Sequence, residues 1–184
     1  MTIKHKNQRV GVFIDVQNLY HSAKNLYNKR VNFKNLLLEA VSDRQLIRAI
    51  AYAAQSAELT EESFFEALEK IGIEVKRKEL QVYPDGSKKG DWDVGLAMDA
   101  IRIGHNLDVV VLISGDGDFI PLLEHLKTEG KYVEVIAFGR TTSTRLKEAA
   151  DEFIDLDERP EYFLLKTEEG FKVKMPAIIR IKRK

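Results

Sequence analysis

The chain has no cysteine, which removes disulfides, thiolate metal sites and cysteine nucleophiles together. No apolar run approaches the ~20 residues needed to span a membrane. The first ten residues, MTIKHKNQRV, lack the apolar centre of a secretory signal. A cytoplasmic protein is the expectation. The four histidines, His5, His21, His105 and His125, show no HExxH or other paired spacing, which argues against a histidine zinc site. GxxxxGK[ST] and GxSxG are also missing, so neither a P-loop nor a hydrolase elbow is present. Gly115 and Gly117 lack the third glycine of a dinucleotide fingerprint.

Net charge is missing too, but only in the sum. The formal charge is zero, yet Lys4, Lys6 and Arg9 give residues 1–9 a charge of +3. Residues 159–184 carry +5, leaving −8 on the body between. An acidic body with basic ends fits a carboxylate site flanked by segments that bind a polyanion, although solubility alone explains basic ends as well. Hydrophobic residues make up 44% of the 184, enough for one domain with a real core.

What is present is organised around Asp108 to Phe119, DVVVLISGDGDF. Val109 to Ile113 reads as a strand buried on both faces of a parallel sheet. Two acids follow among small residues, with Asp118 placed to cap the helix resuming at Phe119. Arg9 to Asp15 is a second apolar strand ending on an acid. Val16 to about Asn28 is a helix with Asn18, His21 and Ser22 on one face. Phe33 to Val41 is a short helix, and Gln45 to Ala54 a strand whose alanines also permit a helix. An amphipathic helix runs from Thr60 to Gly72, and an alternating strand from Ile73 to Val82. The polar loop 83–90, with Lys88 and Lys89, leads to a helix from Asp91 to about Gly104. After the central stretch come a strand from Tyr132, a Ser/Thr-capped helix at 143–150 and a short strand near Phe153. This order predicts an α/β fold, a doubly wound and mostly parallel sheet with helices on both faces. Residues 162–175 read as an appended β-hairpin, so the division is 1–158 and 159–184.

In such sheets chemistry collects at the carboxyl ends of the strands. If the first and central strands are neighbours there, Asp15 meets Asp116 and Asp118, and a helix crossing that edge aims Asp93 at the same spot. Clustered carboxylates repel unless a cation is present, and hard oxygen ligands select Mg²⁺ or Mn²⁺. Two such ions clamp the attacking and leaving oxygens of a phosphodiester. Bland roles compete throughout. Asp116 and Asp118 also suit a turn and a cap, Asp91 suits the cap of its helix, and Asp99 is spaced to pair with Arg102. Trp92 suits either packing beside the helix start or stacking on a base. A haloacid-dehalogenase phosphatase fits poorly, because Gln17 stands where its second aspartate belongs.

Three ordered motifs, Phe13-Ile-Asp15-Val-Gln-Asn18, Lys89-Gly-Asp-Trp-Asp93-Val94 with Asp99, and Ser114-Gly-Asp116-Gly-Asp118-Phe119, resemble the NYN domain of the LabA-like group. That group lies in the PIN-like nuclease superfamily, and the resemblance covers about residues 9–157. It implies a PIN-like (Rossmann-like) sheet and a metal-dependent ribonuclease cutting RNA, single-stranded by expectation. By position, Asp15, Asp93, Asp116 and Asp118 are the catalytic and metal-binding acids, supported by Asn18 and Ser114. Lys88, Lys89, Trp92 and the tail residues Arg180, Lys182, Arg183 and Lys184 are expected nucleic-acid contacts. The alternative is an RNA-binding or regulatory LabA-like module with little turnover. RNA is the expected partner, with no membrane; a homodimer is the other association considered.

Overall fold

The structure, a computed structural model, describes residues 4–55, 62–79, 81–82, 88–89 and 92–166. Six strands form one sheet: β1 (Arg9–Asp15), β2 (Gln45–Gln55), β3 (Glu74–Glu79), β6 (Val109–Ile113), β7 (Tyr132–Ala137) and β8 (Glu152–Asp155), in the order β3-β2-β1-β6-β7-β8. Every pairing in it is parallel. The chain winds outward from β1 to β3, crosses back to β6 and winds outward again. The strand order therefore reverses between β1 and β6, the switch point at which open α/β sheets bind their ligands.

The apolar runs of β1 and β6 are continuous because both faces are covered. Alternate side chains enter different cores. Val10, Val12 and Ile14, with Val109, Val111 and Ile113, pack under α1 (Val16–Tyr27), α2 (Phe33–Val41) and α3 (Glu62–Lys70). Phe13, Val110 and Leu112 pack under α4 (Asp93–Gly104), α5 (Ile120–Thr128) and α6 (Thr144–Ala149). The alanines of β2 do not make a helix. Ala49, Ala51 and Ala53 are buried on the α1–α3 side, and pairing on both edges outweighs a weak intrinsic preference. Asp15 caps α1, accepting from the Asn18 N–H, and Asn28 closes that helix in the left-handed region at φ 53°. Asn32 caps α2 in the same way as Asp15 caps α1.

Three expectations change. Asp118 caps nothing: it lies inside the 3-10 turn Gly117–Phe119, and Asp116 is the cap, accepting from the Asp118 N–H at 3.0 Å. A carboxylate two residues ahead of the N–H reaches it directly, which the D-x-D spacing allows as readily as a cap by the second acid. The expected loop at 83–90 is partly paired, since β4 (Gln81–Val82) and β5 (Lys88–Lys89) form a small antiparallel ladder. The expected hairpin does not begin at 162. Pro160, with its fixed φ, starts a short helix, α7 (Pro160–Phe163). Phe163 is fully buried in the α1–α3 core, and Leu164 bridges to Val31. The rest of that hairpin, the tail with Arg180, Lys182, Arg183 and Lys184, and the proposed cap Asp91 lie outside the described residues.

Beside the amino end of β2, Arg44 forms a wholly enclosed charged pair with Glu134, which lies opposite Val111 in the sheet. Arg44 donates to both carboxylate oxygens of Glu134 on β7, at 2.6 and 2.9 Å, and also to the carbonyls of Val41 and Ala40. No helix among the described residues is long and apolar enough to cross a membrane.

Candidate active site

β1 and β6 are in register from Val10↔Val109 to Ile14↔Ile113, so the next residues, Asp15 and Ser114, emerge side by side at the switch point. Ser114 is fully buried. Its hydroxyl donates to Asp15 Oδ2 at 3.0 Å and accepts from the Asp116 N–H at 3.2 Å. One hydroxyl thus ties both acids into a single unit. The other oxygen of Asp15 accepts from the Asn18 N–H at 3.1 Å. Asn18 closes the frame: its side-chain oxygen accepts from the Gly115 N–H at 2.9 Å. The two polar supports expected from the sequence hold these positions.

Burial pushes the Asp15 carboxyl above the usual carboxylate range, and the neighbouring charge of Asp116 pushes the same way. The hydrogen bonds from Asn18 and Ser114 oppose that rise without cancelling it. A carboxylate held at such a cost, beside another, is the kind of group a cation would relieve.

Asp93 is the first residue of α4, and Asp118 is exposed on the 3-10 turn against which α4 packs. These two do not join the pair tightly. Among the described residues, no three Asp, Glu or His side chains converge closely enough to enclose a metal ion. Two carboxylates do suit a cation that keeps most of its water, as Mg²⁺ usually does, rather than one caged wholly by protein. Mg²⁺ or Mn²⁺ fits this donor set; a site with all four acids as direct ligands is not what this geometry displays.

The structure also adds residues of the loop after β7 that the sequence pattern does not single out. α1 holds two loops at once. Asn18 binds the β6 loop, and Ser22, one turn on and nearly buried, lies 2.8 Å from the Thr141 hydroxyl of the β7 loop. That second loop presses on the first. The Ser143 N–H donates to the Gly115 carbonyl at 3.1 Å. A Cβ on Gly115 would meet Thr142 Oγ1 at 2.7 Å, and one on Gly117 would meet Ser143 Oγ at 3.0 Å. Hydroxyl side chains of the β7 loop crowd both glycines, and the Thr141–Thr142 backbone crowds Gly115 as well. The clue in the chain is a Thr-Thr-Ser run at the carboxyl end of a strand, which by itself reads only as a helix cap. Ser143 makes no side-chain capping bond.

Two other residues make contacts that hold the fold together. Trp92 donates its indole N–H to the Ala53 carbonyl at 3.0 Å and meets Tyr52 edge-on at 5.7 Å; its ring fills the space over Gly95. Asp99 does not pair with Arg102. It accepts from Tyr52 at 2.9 Å and from Lys76 at 2.6 Å, tying α4 to β2 and β3. Burial opposes its charge, but these two donors hold its carboxyl below the usual range.

The NYN domain model matches residues 9–157, the sheet and all its crossovers. The chain belongs to the NYN domain family. This family is part of the PIN-like nuclease superfamily, and the NYN domain here is of the LabA-like kind. The protein named "Low amplitude and bright protein LabA" of Synechococcus elongatus is 26% identical over 174 residues, covering 85% of this chain and 92% of its own length. An uncharacterized protein of Methanocaldococcus jannaschii, MJ0482, is 33% identical over 97 residues, which are 52% of this chain and 39% of that protein. A crystal structure of a protein of unknown function from Vibrio parahaemolyticus, VPA0982, superposes with a TM-score of 0.80 at 34% identity, covering 89% of this chain and all of that one. The NYN domain of this chain thus carries its acidic unit where a PIN-like sheet reverses its strand order.

Proposed function

We infer that this NYN domain is a Mg²⁺- or Mn²⁺-dependent ribonuclease that hydrolyses phosphodiester bonds of single-stranded RNA. The observation that carries the reading is the Asp15–Ser114–Asp116 unit at the β1/β6 switch point. A bound divalent ion would supply an activated water and neutralise charge on the phosphoryl group. Asp15 and Asp116 would hold that ion, with Ser114 and Asn18 fixing the angle between them. Asp93 and Asp118, on the surrounding elements, would orient the water or the ion's hydration shell. Ser114 is not a suitable covalent nucleophile: it is buried, and its hydroxyl is engaged by the Asp15 carboxylate and the Asp116 N–H.

A second reading has one observation in its favour. Because no three acidic or histidine side chains converge among the described residues, the domain also suits an RNA-binding or regulatory module that turns over slowly. One experiment separates the two: labelled single-stranded RNA and DNA incubated with the pure chain, with and without Mn²⁺. Cleavage of RNA that requires Mn²⁺ is expected; binding without cleavage would favour the module.

Metal should also register in stability. An ion held at about 100 times its dissociation constant adds roughly 2.7 kcal/mol to the folded state. Thermal melts in EDTA and in excess Mn²⁺ are expected to differ clearly. Superimposable curves would leave Asp15 and Asp116 as cap and turn residues only.

A further inference from the structure

We propose that Ser143 and Arg145, on the β7–α6 side of the switch point, bind a phosphate of the nucleic-acid strand next to the one being cut. The proposal rests on the ribonuclease reading above and adds to it a binding wall made of donors.

The start of α6 lies against the loop that carries Asp116 and Asp118. Ser143 Oγ stands beside Gly117, between Asp116 and Asp118, and the Ser143 backbone is bonded to Gly115. Its half-buried hydroxyl makes no hydrogen bond to a described residue. Its neighbours on the loop are already engaged. Thr141 pairs with Ser22, and Thr142 donates to the Phe138 carbonyl at 2.7 Å.

Arg145 is exposed and has no partner among the described residues. Its direction follows from its neighbours on α6. Leu146 is fully buried, and Lys147 donates to the Gly139 carbonyl at 2.6 Å and lies over the Phe153 ring of β8. Residues advance about 100° each around a helix, so Arg145 leaves Leu146 on the flank away from Lys147. α6 itself packs against α5 and the Gly117–Phe119 turn. The other cation bordering this loop, Arg140, is engaged by Asp157 at 3.1 Å and by the Tyr27 ring. A guanidinium and a hydroxyl with no internal partner, at the start of a helix packed on the turn that carries Asp118, are donors matched to phosphate oxygen. They would draw the negative strand towards a pocket whose own charge repels it.

The test uses the full chain carrying Asp116→Asn, so that RNA stays intact, and a fluorescein-labelled single-stranded RNA read by anisotropy from low to moderate salt. Adding Arg145→Ala is expected to weaken binding roughly fivefold at low salt and to flatten the log–log salt slope by about 0.7, one single-strand phosphate contact. Arg145→Lys should restore the slope, because charge sets it. Ser143→Ala should weaken binding at every salt concentration with the slope unchanged. Lys34→Ala, an equal charge loss on α2 against the other face, should change neither quantity. If Arg145→Ala behaves like Lys34→Ala, the wall does not bind phosphate, although the ribonuclease reading survives. If the parent chain fails to bind RNA under any of these conditions, both fall together.

Discussion

Asp116→Asn is expected to lower Mn²⁺-dependent RNA cleavage by at least about a hundredfold, more than loss of a mere supporting residue would cost, while the fold survives. The amide still offers an oxygen to the Asp118 N–H, which lies 3.0 Å from the Asp116 carboxylate in the parent, so the 3-10 turn keeps its cap. The backbone N–H at this position still donates to Ser114. What disappears is one negative charge and a strong ligand for a hard cation, and with them the positioning of water and the neutralisation of the phosphoryl group. Asp15→Asn should cost activity as heavily, with a different effect on stability. The substituted amide would still cap α1, and the change removes a charge that is buried beside Asp116. Its melting temperature in EDTA should therefore be no lower than that of the parent, as for other active-site groups kept at a cost to stability. Cleavage of a fluorescent single-stranded RNA, with circular dichroism melts on each variant, checks both. An Asp116→Asn protein that cuts as fast as its parent would rule out this site.

The parts of this site legible in the chain were those written in backbone periodicity. Two uninterrupted apolar runs, each ending on an acid or a serine, could only be strands covered on both faces. Parallel neighbours bring such endings together, so Asp15, Ser114 and Asp116 meet despite their separation. The helix Phe33–Val41 was bounded by its own cap and closing residues, and its limits are as read. The errors have a common cause. Whether Asp116 or Asp118 caps the turn depends on a local backbone path that D-G-D permits in two ways. Asp99 pairs with Lys76 on a strand rather than with Arg102 on its own helix, because the side of α4 it occupies faces the sheet. The hydroxyls of Thr141 to Ser143 matter only through their closeness to Gly115 and Gly117, which no spacing along the chain encodes.

Glu134→Leu is expected to destabilise the domain by about 3–5 kcal/mol, the usual cost of leaving a buried charge without its partner. For a domain of this size that corresponds to a fall in melting temperature on the order of 10 °C. In the strand Tyr-Val-Glu-Val-Ile-Ala, Glu134 looks like the one solvated position, yet it is fully buried, and the Arg44 side chain facing it is 1% exposed. The pair is bidentate, and Lys4 approaches Glu134 only at 3.6 Å. Removing the acid leaves a guanidinium enclosed with only the Val41 and Ala40 carbonyls to satisfy it. Arg44→Met should do similar harm from the other side, leaving the carboxylate with Lys4 alone. The double variant Arg44→Met/Glu134→Leu should recover most of the loss, because well-packed apolar groups replace a buried ion pair at little cost. The recovery would be incomplete, since those two carbonyls lose their donor. Urea titrations of the parent, both single variants and the double variant measure the coupling directly. Additive losses in the double variant would mean that each residue acts through its other contacts and that the pair itself contributes nothing. Neither residue hydrogen-bonds to Asp15, Ser114 or Asp116, so metal-dependent cleavage by the double variant should match the parent at temperatures where both are folded.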